Sequence, residues 1–126
     1  MSTKTLNSVL SVPWEAAKPY LARALQGYDP SEEVEKGNAF SFLIGHSGAV
    51  VLIRAEHDEM VIVAFEGVHQ LKNASYVLLN LARAIKARSI RVHTKRRGEL
   101  RYLNGLGLPF EQIEQQGDEQ VLRMVL

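Results

Sequence analysis

Residues 60–94 read Met60-Val61-Ile62-Val63-Ala64-Phe65-Glu66-Gly67-Val68-His69-Gln70-Leu71-Lys72-Asn73-Ala74-Ser75-Tyr76-Val77-Leu78-Leu79-Asn80-Leu81-Ala82-Arg83-Ala84-Ile85-Lys86-Ala87-Arg88-Ser89-Ile90-Arg91-Val92-His93-Thr94, and the changes of period along them decide the fold. Met60 to Phe65 is apolar at every position, which predicts a central strand covered on both sides. From Leu71 to Ala87 the apolar positions Leu71, Ala74, Val77, Leu78, Leu81, Ala82 and Ile85 recur at a 3.6-residue period, with Lys72, Asn80, Arg83 and Lys86 turned outward. Ser89 to Thr94 then alternates Ile90, Val92 and Thr94 against Arg91 and His93, a strand. A helix-length crossover between two strands makes them parallel, so the stretch predicts a βαβ unit.

Toward the N-terminus, Phe40 to Ile44 and Ala49 to Arg54 are strand-like runs separated by turn residues, and they lead into Met60 as an antiparallel meander. Trp14, Ala17, Leu21, Ala24 and Leu25 place an apolar stripe on a helix near residues 14–26, which Pro19 is expected to bend or restart. Asp29-Pro30-Ser31-Glu32-Glu33 predicts a short second helix capped by Asp29 and stopped by Gly37, and residues 1–12 are expected to be flexible. Toward the C-terminus a short helix spans Glu99 to Asn104. Strands Phe110 to Gln115 and Gln120 to Val125 close a hairpin around Gly117-Asp118. The expectation is one α/β (α+β) domain over residues 1–126, with a mixed sheet of about six strands flanked by helices.

At 126 residues, 46% hydrophobic and 23% charged, the chain has room for one core and the composition of a globular protein. It contains no cysteine, which excludes disulfides, thiolate metal sites and a cysteine nucleophile, and favours an intracellular, cytoplasmic setting. No apolar run approaches a membrane span or a signal-peptide core. The net charge is only +1, but Arg83 to Arg101 carries eight basic residues against Glu99 alone, while the segment from Asp29 to Glu66 is mostly acidic. Two electrostatic faces are expected.

The order of elements resembles that of the GNAT acyl-CoA N-acyltransferases, over residues 14–126. That family's acyl-CoA loop reads Gln or Arg, two residues, Gly, one residue, Gly or Ala, then a helix with paired leucines. Here Gln70-Leu71-Lys72-Asn73-Ala74-Ser75 stands in its place, followed by Tyr76-Val77-Leu78-Leu79. The spacing is kept and both glycines are replaced, by Asn73 and Ser75. The resemblance implies acetyl-CoA (acyl-CoA) as cofactor and an amine as acceptor, with the amides of residues 70–75 facing the pyrophosphate at a helix N-terminus. Asn tolerates the left-handed region and Ser is small, but each adds a side chain where phosphate oxygens would approach.

Family enzymes often place a tyrosine four residues before the Gly of a Gly-Phe pair, to protonate the departing thiolate. With Gly107-Leu108 as that pair the position falls on Leu103, and Tyr102, one residue early, is rotated by about 100°. An acyltransferase also needs a base for the attacking ammonium. Glu66 and His69, just after the central strand, are the candidates. The alternative is that Glu66 ends a strand and His69 faces solvent. His93 is placed on the surface by its charged neighbours.

The stretch from Thr94 to Leu103, with Pro19 to Leu25, also looks like small GNAT-like proteins of tailed bacteriophages. That second resemblance implies a protein of host cytoplasm or virion in which a silent version of the scaffold binds a partner protein. The basic run offers phosphate contacts to nucleic acid, but Tyr102 is the only aromatic among them, so base stacking has little to work with. Gly-x-Ser-x-Gly, Walker and His-Glu-x-x-His patterns are absent and the four histidines lack metal-ligand spacing, so no metal is expected. The hairpin from Phe110 to Leu126 is apolar enough to need cover, which a homodimer would supply.

Overall fold

The computed structural model describes residues 9–44, 48–67 and 71–126. The three runs of the meander form β2 (Ala39–Ile44), β3 (Ala49–Glu56) and β4 (Glu59–Glu66), each antiparallel to the last. A further short strand, β1 (Val9–Ser11), pairs antiparallel with the end of β2, inside the segment expected to be flexible. β4 leads to the long helix α3 (Leu71–Ala84) and back into β5 (Ser89–Thr94), parallel to β4 as the crossover predicts. After α4 (Glu99–Gly105) come β6 (Glu111–Gln116) and β7 (Glu119–Val125). The chain's last strand inserts between β5 and β6, giving the order β1-β2-β3-β4-β5-β7-β6, seven strands among the described residues against the six expected.

The sheet has two covered faces. On one, α3 and α4 pack Val77, Leu78, Ala82 and Leu103 onto Val51, Ile53, Met60, Ile62, Ile90, Leu122 and Met124. On the other, α1 (Trp14–Leu25) lays Trp14, Ala17 and Leu21 on Ala39, Val50, Leu52 and Ala64. Leu21, Leu52, Met60 and Leu122 are fully buried, each contributing about 2 kcal/mol by leaving water.

Helix α1 runs through Pro19 without a break. The proline is exposed, so the carbonyl it leaves without a donor can turn to solvent. The short helix α2 (Ser31–Glu35) starts from Pro30 at its N-cap rather than from Asp29, whose Oδ1 instead accepts the Ser31 hydroxyl at 2.6 Å and the Ser31 amide at 3.0 Å from just ahead of the helix. Those bonds hold the exposed Asp29 carboxyl below its usual range. Helix α3 ends earlier than its apolar period. Lys86 takes a left-handed φ of 61°, and the Ala87 amide returns to the Ala82 carbonyl at 2.9 Å, a Schellman closure made without glycine that leaves Ile85 exposed.

A candidate acyl-donor cleft between two parting strands

β4 and β5 pair only from Glu59↔Ser89 to Ile62↔Val92. The departure point coincides with a bulge in β4. Leu52 of β3 faces Ala64 and the next residue, Ile53, faces Ile62, so Val63 is an extra residue on β4. Such an insertion bends its strand and breaks the ladder locally. Past the bulge β4 stays with β3, β5 stays with β7, and the space between them opens as a cleft of 340 Å³.

Strand alternation assigns the walls. Glu66 pairs with Val50 and so lies on the α1 side, as does His93, which is out of phase with the core residue Ile90. Arg23, Ala24 and Gln26 of the α1 end complete that rim. On the other side stand Phe65, Ala74, Ser75 and Leu78, then Thr94, Glu99, Leu103 and Phe110. The cleft therefore passes through the sheet, with Lys95 and Arg96 among its lining residues.

Of the residues singled out in the sequence, Glu66 and Ser75 line this cleft half-buried and Ala74 lines it fully buried. His69 and Gln70 lie outside the described residues. Leu71 opens α3, so the stretch expected to be a loop is already helical from Leu71 onward, with Lys72 exposed and Asn73 half-buried. The first turn of an α-helix leaves its amides without intrahelical acceptors, which places such amides at Leu71, Lys72 and Asn73. Tyr102 is 44% exposed and is not among the residues lining the cleft, whereas Leu103, one position on, is buried there. Tyr76 ties the two helices by donating its hydroxyl to the Leu106 carbonyl at 2.8 Å.

Two cleft residues escape the sequence reading. His93, placed there on the surface, lines the cleft with its Nδ1 3.1 Å from Glu119 Oε1. Glu99 opens α4 and looks from sequence like a residue complementing the helix dipole. In the fold it is half-buried in the cleft lining, one turn from Leu103 on the same helical face. Burial pushes its carboxyl above the usual range, against the lowering influence of the Arg96 charge and a hydrogen bond from Thr94. Thr94 is itself buried, its Oγ1 also accepting the Arg96 amide at 3.0 Å. The i, i+4 pairing of Glu99 with Leu103 was the one available signal.

Gly67 follows β4 with no room to spare. A Cβ there would meet Ala49 Cβ at 2.8 Å and Phe65 Cζ at 3.1 Å, so the chain leaving β4 passes close against β3.

A long helix rising from the end of one of two parting parallel strands, a three-stranded meander before them and a hairpin after them define the GNAT fold, and the chain has it. It superposes on an IAA acetyltransferase from Bacillus cereus with a TM-score of 0.67, 14% identity and coverage of 94% of this chain and 99% of that one. A Bacillus subtilis acetyltransferase in complex with CoA gives 0.67 at 16% identity over 94% and 97%. The PaiA N-acetyltransferase of Thermoplasma acidophilum, also in complex with coenzyme A, gives 0.63 at 7% over 94% and 98%. At these identities the likeness is one of fold. No family model and no curated protein sequence matches the chain.

Proposed function

We propose that the protein binds acyl-CoA in the cleft between β4 and β5 and transfers the acyl group to an amine. The observation that carries the reading is the parting of these strands after Ile62 and Val92, which leaves an open channel through the sheet rather than a packed core. The group fits the residues present. The β5-facing edge of β4 beyond Ile62 offers backbone groups to an extended, amide-bearing arm. Residues 70–75, and above all the first-turn amides of α3, would take the diphosphate, with Lys95 and Arg96 adding positive charge at the cleft. Bound there, the donor supplies an activated thioester. Glu66, on the α1 side, would receive the proton that the acceptor ammonium must lose before attack, with His69 the other candidate for that role. The structural neighbours crystallised with CoA support the donor class, while the acceptor is an amine whose identity the cleft leaves open.

Calorimetry with acetyl-CoA and CoA tests this. Saturable heat is expected, with thermal stabilisation of about 2.7 kcal/mol when ligand reaches a hundred times its dissociation constant. No heat and no stabilisation at millimolar ligand would end the reading.

The replacement of both loop glycines and the presence of Leu103 favour a second reading, a catalytically silent scaffold that binds a partner protein, of the bacteriophage kind that Thr94 to Leu103 resembles. It predicts a stable complex in lysate from the native host. Protein that is always free and monomeric there counts against it.

A further inference from the structure

Acyl transfer from a thioester needs two proton movements, and Glu66 accounts for one. As the acceptor nitrogen bonds to the carbonyl carbon, the C–S bond breaks and its electron pair leaves on sulfur, which must gain a proton to depart as a thiol. Of the two protons the ammonium sheds in becoming an amide, one ends on sulfur and the other in solvent. Relative to Glu66, the second carboxyl in the cleft is on the far side of the sheet gap, on α4 and β5's core-facing side.

We propose that Glu99 is the residue that hands a proton to the departing sulfur, standing in the cleft one helical turn before Leu103 and held by Thr94. The proposal rests on the acyltransferase reading above. Its geometry comes from the fold: Gly98, in a left-handed conformation with φ of 84°, starts α4 so that Glu99 and Leu103 share the face turned to the cleft. The charged groups that line the cleft with Glu99 are Lys95 and Arg96 just ahead of it and, across the gap, Glu66, His93 and Arg23, with Arg96 the one whose charge acts on its carboxyl. A half-buried carboxyl in these surroundings, partly stripped of water, keeps its proton to higher pH than a solvated one. It can then give that proton up to a stronger base such as a nascent thiolate, and recover it from the pool the ammonium supplies.

The thiol of bound CoA reports the contact without any turnover. Its ionisation is followed by thiolate absorbance across pH, with CoA saturating, in the wild-type protein and in Glu99→Gln. If the sulfur lies against Glu99, the ionised carboxylate opposes a second negative charge, so the thiol titrates about one pH unit lower in Glu99→Gln. Coincident curves in two proteins that both bind CoA overturn the assignment while leaving the acyltransferase reading intact. Failure of the wild type to bind CoA removes that reading and this one together. Should Glu99→Gln not fold, carbon-13 NMR of the Glu99 carboxyl in the wild type decides. A two-step titration with CoA that becomes one step with desulfo-CoA supports the contact, and identical curves with the two ligands overturn it.

Discussion

Glu66 and Glu99 sit on opposite sides of one gap in the sheet, and the proposed chemistry asks opposite things of them. Glu66→Gln should lower acetyl-CoA turnover about a hundredfold while CoA affinity stays unchanged, as thiol release and calorimetry would show. Glu99 has a second consequence, for stability. Its folded carboxyl titrates above the ordinary 4.5, so the native state holds the proton where the unfolded chain has lost it. The contribution of Glu99 to stability is therefore full at low pH and declines as pH rises through the folded value. Glu99→Gln should match wild type at pH 4 and be the more stable of the two at pH 8, in denaturant titrations. None of this was legible from the residue itself, since a glutamate opening a helix reads as a surface residue until the packing of α4 half-buries it against the cleft. Leu103 and Tyr102 were legible only as a register, and the fold settles which of the two meets the cleft.

The elements tell a similar story of period read well and interruption read poorly. The βαβ unit, the meander and the hairpin follow from apolar spacing, because burial of one face imposes that spacing on any sequence that forms them. The bulge at Val63 left no trace. Met60 to Phe65 is apolar at every position, so an inserted residue changes which face each side chain meets without breaking any pattern. The order of the hairpin strands could have been weighed from composition. β6, Glu-Gln-Ile-Glu-Gln-Gln, is exposed throughout at the sheet edge, whereas β7 buries Val121, Leu122 and Met124 between its neighbours. Gly67 gives the element-scale prediction. Gly67→Ala brings a methyl to 2.8 Å from Ala49 Cβ, which neither a short side chain nor strand backbone can readily yield. A loss of about 1–3 kcal/mol in urea unfolding is expected.

Across the whole molecule, the two electrostatic halves of the sequence do not remain apart. Glu33 holds Arg54 at 2.7 Å, Arg54 reaches Glu56 at 3.6 Å, Arg91 bridges Glu56 at 3.1 Å and Glu59 at 3.2 Å, and Arg123 closes on Glu59 at 2.8 Å. The chain of charges spans β3, β4, β5 and β7 at the end where β4 and β5 are still paired, so it braces the hinge of the cleft. Burial alone would raise the Glu59 carboxyl. Hydrogen bonds from Arg123 and Ser89 and the Arg91 charge outweigh it and hold the group below its ordinary 4.5. A carboxyl lowered by folding stabilises above its unfolded value and loses that contribution as pH falls through the folded one. Glu59→Gln should thus cost about 2 kcal/mol at pH 7, with the deficit shrinking as pH falls below 4.5 and through the lowered folded value, as thermal melts would record.

That brace leaves the other end of the β4–β5 pair free to stand open, and the use of this opening is what most needs measuring. Titration of the isotope-labelled protein with CoA, followed by amide NMR, tests it directly. Occupancy of the cleft predicts saturable shifts concentrated at Val63 to Glu66, Ala74 to Leu79 and His93 to Glu99. Shifts confined to other surfaces, or none at millimolar CoA, would contradict it.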